Sequence, residues 1–164
     1  MEFFFSKDTP SGQLIVVTSS SGYKIQSITW RGLITLVSKK NFGSNAGIAS
    51  TSVISELGFS GDWKNLPVGE TVNYTTKASP LDSRVGAYGD SSTTTRCKVE
   101  RELSASDLNP ALSGQAKALA CQTESEEYQR VSHSYYLSDY GYFFHASTDK
   151  NSLLYVNHRI VTVE

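Results

Sequence analysis

Thr93-Thr-Thr-Arg-Cys-Lys-Val-Glu-Arg-Glu-Leu-Ser-Ala-Ser-Asp-Leu-Asn-Pro-Ala-Leu-Ser-Gly-Gln-Ala-Lys-Ala-Leu-Ala-Cys-Gln-Thr123 is the stretch whose reading decides the fold. Thr93 to Leu103 alternates. Cys97, Val99 and Leu103 point one way, and Lys98, Glu100 and Glu102 point the other, the period of a half-buried strand. Gln115 to Thr123 answers it, with Leu119 and Cys121 on one face. The residues between, Ser104 to Gly114, are rich in turn formers. Only Asp107 to Leu112 and Ala116 to Ala120 lean towards helix, and Pro110 interrupts the first. If the two flanking segments pair antiparallel, Cys97 and Cys121, the only cysteines of the chain, fall opposite each other. A disulfide there closes a loop of roughly 25 residues and contributes on the order of 3 kcal/mol. It also implies an oxidising compartment. A redox-active pair would come as Cys-x-x-Cys beside a helix, and a zinc site would need more ligands than two thiols.

The same period-2 pattern extends outward in both directions. Leu14-Ile-Val-Val17 reads as a buried strand and Ser19-Ser-Ser-Gly22 as a turn. Tyr23 to Trp30 alternates, Arg31-Gly32 marks a turn or bulge, and Leu33 to Val37 is a further apolar strand. Asn41 to Gly47 reads as a loop. Ser50 to Phe59 fits both periods, and its Thr and Val residues tilt it to strand. Gly61 to Gly69 is a turn-bearing connection. Glu70 to Ala78 is a strand with Val72, Tyr74 and Thr76 facing one way, and Ser79 to Ser92 is a loop. Glu127 to Leu137 and Tyr142 to Ser147 form the best hairpin, turning at Ser138-Asp-Tyr-Gly141. Asn151 to Val163 reads as a long last strand. The expected fold is therefore mainly β, with about nine or ten strands in an antiparallel sandwich, a curved sheet or a partly closed barrel. One domain, 1–164, is expected, with halves 1–60 and 61–164 sharing one core.

At 164 residues and a formal charge of −1, the chain is long enough for a sizeable core and carries no basic stripe of the kind nucleic acid requires. Ser and Thr make up roughly a quarter of it, and Tyr and Phe are plentiful. No apolar run approaches the ~20 residues of a membrane-spanning helix. Phe3-Phe4-Phe5 is too short for the apolar region of a signal peptide, so an exported chain would have lost its leader.

His133-Ser-Tyr-Tyr-Leu-Ser-Asp-Tyr-Gly-Tyr-Phe-Phe-His145 is the most distinctive local sequence. A three-residue turn makes His133 and His145 direct cross-strand neighbours. A two-residue turn offsets them by one, onto opposite sides. A metal site would need further ligands, with His158, Asp139 and Glu127 the nearest candidates in sequence, and no metal or other cofactor is expected. Tyr135, Tyr136, Tyr140 and Tyr142, with His133 and His145, form a candidate recognition patch, because tyrosine joins a large apolar area to a polar tip.

Catalytic motifs of high specificity are lacking, and the chain is read as non-enzymatic. Gly58-Phe-Ser-Gly61 falls short of the nucleophile elbow Gly-x-Ser-x-Gly. Glu124-Ser-Glu-Glu127 reads as a solvated turn. No phosphate-cradling glycine loop precedes a helix.

From Leu66-Pro-Val-Gly69 through the Tyr74 strand, Cys97-Lys-Val99, the loop with Pro110 and Gly114, the Cys121 strand and Tyr135-Tyr-Leu-Ser-Asp-Tyr-Gly141, the second half resembles uncharacterised bacterial envelope and lipoprotein-type β-sheet domains. The resemblance covers roughly residues 60–147 and rests on turn and strand signals. It implies a domain of the periplasm or cell surface and carries over no catalytic residues. The expected function is thus an extracytoplasmic binding domain acting through a protein partner. One specific form is a periplasmic immunity protein that blocks a secreted toxin or effector. The alternative is a carrier of lipids or other apolar ligands, with a cavity lined by Leu14, Val16, Leu33, Val72 and Phe143. A hydrolase ranks third and would need a histidine bonded to both a serine and a carboxylate.

Overall fold

The computed structural model describes residues 2–6, 13–20, 23–42, 49–80, 91–124, 129–149, 155, 157–161 and 163. They form ten strands: β1 (Glu2–Ser6), β2 (Gln13–Ser20), β3 (Tyr23–Trp30), β4 (Ile34–Phe42), β5 (Ala49–Ser60), β6 (Thr71–Pro80), β7 (Ser91–Ser104), β8 (Gln115–Glu124), β9 (Gln129–Leu137) and β10 (Tyr142–Thr148). The strands hydrogen-bond in chain order, β1 to β10. The chain is mainly β, and the only helical element among the described residues is a 3-10 turn at Ala105–Asp107. A sandwich needs two sheets, whereas the described strands join one, so that expectation is corrected. Each described strand pairs with the one that follows it in the chain, the commonest arrangement of consecutive elements.

Two compact units make up the chain. The first comprises Met1–Leu57 and Thr76–Ser92, and the second Gly58–Thr75 and Thr93–Glu164. In the first, β1 to β5 pair antiparallel, with Phe4 opposite Val17, Ile15 opposite Ile28 and Val37 opposite Val53. The β3–β4 turn puts Arg31 at φ 46° and Gly32 at φ 78°. Leu33 N–H closes it on the Trp30 carbonyl at 2.9 Å. Positive φ at both central residues is the type I′ geometry whose twist matches a hairpin. The Arg31 guanidinium lies 5.2 Å from the Trp30 ring centroid. A bulge between Ile28 and Thr29 follows in the ladder. Of the expected loops over 41–47 and 79–92 and the turn over 19–22, residues 41–42, 79–80, 91–92 and 19–20 are strand instead, and 43–47, 81–90 and 21–22 lie outside the described residues.

In the second unit the β7–β8 hairpin is the frame. Cys97 pairs with Cys121, Val99 with Leu119 and Leu103 with Ala116. A bulge between Val99 and Arg101 changes the facing of every later residue on β7. Thr95, Cys97 and Val99 therefore share one face with Leu119 and Cys121, while Leu103 turns to the opposite face beside Ala116. The expectation that Cys97, Val99 and Leu103 share one face is thus corrected: the bulge sends Leu103 to a second core. The first holds Leu66, Val72, Val99, Leu119 and Phe143, all at or below 1% exposure. The second groups Ala105, Leu112, Ala116 and Leu137, with Leu103, Leu108, Tyr140, Tyr142, Phe144, Ile160 and Val163 against them.

The loop between β7 and β8 is tied at its neck by Ala105 N–H to the Gly114 carbonyl, 3.0 Å, which turns Leu108 and Leu112 down onto the second core. Ala116 to Ala120, the stretch with a helical leaning, is strand throughout. Pairing with β7 and β9 on both sides outweighs alanine's intrinsic preference. Asn151 to Val163 is also corrected. Residues 151–154 lie outside the described set, and the described remainder contributes a single bridge, Ser147 to Asn157. Ile160 and Val163 turn their side chains onto the second core instead of extending a ladder.

Candidate functional site

The disulfide is present. Cys97 and Cys121 are bonded, with S–S 2.07 Å and Cα atoms 3.9 Å apart, and they are 0% and 2% exposed. Direct pairing across β7 and β8 puts both sulfurs inside the first core, away from solvent and reductant.

Above this core sits the connection between β5 and β6. Asp62 organises it: its carboxylate accepts from Lys64 N–H at 3.2 Å, Asn65 N–H at 3.0 Å and the Asn65 side-chain amide at 2.8 Å. Those bonds, the Asn65 side chain first, hold the Asp62 carboxyl below the usual carboxylate range. Trp63 is folded inward, and its indole N–H donates to the carbonyls of Ser60 and Asn73 at 3.1 and 3.0 Å. Its ring meets Phe59 at 5.7 Å, Tyr74 at 6.0 Å and Phe143 at 6.1 Å between centroids, and Phe143 in turn meets Tyr136 at 4.7 Å. Edge-to-face contacts at these distances are favourable. The outer member, Phe59, remains 44% exposed, and Val68 on the same connection is 53% exposed. Gly61 to Gly69, expected as a turn-bearing connection, also caps the first core through Trp63 and Leu66. A Trp and a Leu between two glycines were the signal that it plugs a core.

Leu66 is fully buried at φ 46°, a backbone region that non-glycine residues rarely occupy. Lys117 holds it there: the Nζ donates to the carbonyls of Asn65 and Leu66 and lies 3.7 Å from Glu102.

The hairpin of β9 and β10 does not gather the expected patch onto one face. Leu137 pairs with Tyr142 across the four residues 138–141, so Tyr136 faces Phe143 and His145 faces Ser134. A bulge between His145 and Ser147 then sets His133 opposite Ser147. His133, Tyr135 and Tyr142 therefore share one face and Tyr136 and His145 the other, the offset arrangement of the two histidines. Tyr140 and Tyr142 lie against the second core. Tyr140 Oη accepts from Ser113 N–H at 3.2 Å, and burial pushes the Tyr142 phenol up.

His133 lines a shallow polar cleft of 240 Å³ with Ser147, Thr148, Asp149, Tyr155 and Asn157. Its Nε2 is 3.4 Å from Asp149 Oδ1, with 40% and 53% of the two side chains exposed. A serine, a histidine and a carboxylate thus meet at one end of the hairpin, with Ser147 across the ladder from His133. Both members of the pair are partly exposed to solvent. His145 lies elsewhere. It is half-buried against His158, ring centroids 5.9 Å apart. Burial first, then His158, Arg130 and His133, lower its pKa to about 4. Asp139, a considered metal ligand, bonds Ser113 Oγ at 3.0 Å, and Glu127 lies outside the described residues. Among the described residues no three His, Cys, Asp or Glu side chains converge as a metal cluster would.

Of the residues proposed to line a ligand cavity, Val72 and Phe143 are packed in the second unit, with Phe143 between Trp63 and Tyr136. Leu33 is half-buried in the first unit, and the side chains of Leu14 and Val16 lie outside the described set. No helix among the described residues is long and apolar enough to cross a membrane. Compared with protein family models, curated proteins and solved structures, the chain matches none.

Proposed function

We propose that the protein is a non-enzymatic binding domain of an extracytoplasmic, oxidising compartment, and that it works by contact with another protein. The observation that carries this reading is the rigid aromatic stack behind Phe59. Phe59 is half in solvent, but the ring it leans on, Trp63, is fixed by two hydrogen bonds and by Tyr74 and Phe143. An exposed aromatic that loses little freedom on binding is the usual form of an interface anchor. The buried disulfide supports the compartment, because such bonds persist where thiols are oxidised. The contact surface moves accordingly from the tyrosine hairpin to the connection around Trp63, with Val68 as its second apolar member. A periplasmic immunity protein that covers the active site of a secreted toxin is one specific form of this function.

The test is capture with the tagged protein from envelope and secreted fractions, in parallel with Phe59→Ala. One stoichiometric protein partner, retained by the native chain and lost from the variant, is the expected result. Co-purified lipid without a protein partner would replace this reading with the carrier one.

A further inference from the structure

The described part of the C-terminal segment, 157–161 and 163, is held to the second unit at two places. One bridge pairs Asn157 with Ser147. His158 N–H donates to the Ala146 carbonyl at 2.7 Å, at the bulge of β10. Farther on, the Asn109 side-chain amide donates to the Ile160 carbonyl at 3.0 Å. Ile160 and Val163 then lie over the cluster of Ala105, Leu112, Ala116 and Leu137.

At its first fastening point sit two imidazoles. The His145 and His158 rings are 5.9 Å apart, edge to face, and the His158 Nδ1–H donates to the His145 carbonyl at 3.2 Å. We propose that His145 and His158 form an acid-released catch, which holds the C-terminal segment over the second core at neutral pH and frees it in acid. Release uncovers Leu112, Leu137 and Phe144, an apolar surface of a kind that soluble domains otherwise keep covered. The inference is independent of the partner reading above.

The electrostatics around the catch act in one direction. The groups bearing on His145 are His158 from the segment and Arg130 and His133 from β9, all cationic when charged. Asp149, the carboxylate that follows β10, is engaged with His133. With the segment seated, His145 resists protonation until about pH 4, against a usual 6.5. With the segment away, it regains water and loses the His158 charge. The open form therefore binds more protons, and closure is fully favoured above 6.5 and weakens as pH falls from there towards 4. The opening equilibrium rises by up to about tenfold per pH unit in that window.

Amide hydrogen exchange at about pH 7.5 and about pH 4.5, corrected for intrinsic rates, tests this. The His158 amide is expected to lose protection by about tenfold or more at the lower pH, while the Val99 amide, bonded to Glu70 inside the first core, keeps its own. His145→Gln should abolish the pH dependence. His158→Gln, on the segment and outside the β-ladder, removes only the second of the causes acting on His145; it should make the pH dependence shallower, and it decides the matter if the first variant does not fold. Equal His158 protection at both pH values overturns the proposal. So does parallel loss at Val99, a pH dependence that survives in His145→Gln, or one left undiminished in His158→Gln.

Discussion

The ammonium of Lys117 on β8 donates a 3.0 Å hydrogen bond to the carbonyl of Leu66, 51 residues earlier in the chain. Leu66 is both fully buried and left-handed, so that bond and its companion to Asn65 satisfy carbonyls at a place where the backbone is already under strain. Lys117→Met keeps the apolar stem and removes the donor. It should lower stability by about 1–3 kcal/mol, the worth of charged-donor hydrogen bonds to one exposed and one part-buried carbonyl, read from the urea midpoint at unchanged slope. Glu102→Gln, whose carboxylate is half-exposed at 3.7 Å from the same amine, should change stability by less than about 1 kcal/mol. Equal losses would mean that the ion pair, not the carbonyl clamp, is what matters.

Cys97 and Cys121 enclose a short loop, 24 residues apart in sequence. Replacing both by alanine should cost about 3 kcal/mol through the freedom returned to the unfolded chain. Denaturant melts of the native and double-alanine proteins measure it. Reductant alone should act slowly on the native chain, because both sulfurs are buried.

Gly114 sits at φ 78°, and a β-carbon built on it would fall 2.2 Å from Asp139 Cγ. Gly114→Ala should therefore destabilise by about 1–2 kcal/mol, chiefly from the left-handed backbone, with a smaller overpacking part because the exposed Asp139 carboxylate can swing aside. Adding Asp139→Ala should recover the overpacking part alone. Full recovery in the double variant would show that the backbone conformation carries no cost.

Ser134 is 2% exposed, and its hydroxyl has no hydrogen-bond partner among the described residues. It stands on β9 between Leu119 and His145. Ser134→Ala should raise stability by about 1 kcal/mol, since it removes a desolvated polar group and leaves the shape of the site intact. A loss on calorimetry would mean that the hydroxyl is bonded in solution.

The hairpins were legible where local chemistry and side-chain period agreed. Thr93 to Thr123 alternates on both arms and carries Pro110 and Gly114 between them, so strand, turn and disulfide follow from one reading. The same holds for the turn at Ser138 to Gly141. What the sequence hid were the bulges after Val99 and after His145. A bulge inserts one residue into a ladder without a required residue type, yet it decides which core Leu103 enters and which residue His133 meets across the ladder. The facing of the two histidines follows from the turn: the four residues 138–141 give the same parity as a two-residue turn and set His133 and His145 on opposite sides. The C-terminal residues misled for another reason. Ile160 and Val163 are apolar enough for a strand, but their burial comes from packing on side chains of the second core, and no period signals that. Trp63 was passed over because glycine-bounded connections usually lie on the surface.

The unbroken order from β1 to β10 governs how the chain can assemble. Each strand finds its partner in the segment just before it, so no step must close a long loop before contacts reward it, and contact order stays low for an all-β protein. The two thiols lie on adjacent arms of one such hairpin and have no third cysteine to mispair with. Zipping β7 against β8 brings them together, so a single oxidation event suffices and no later reshuffling of bonds is required.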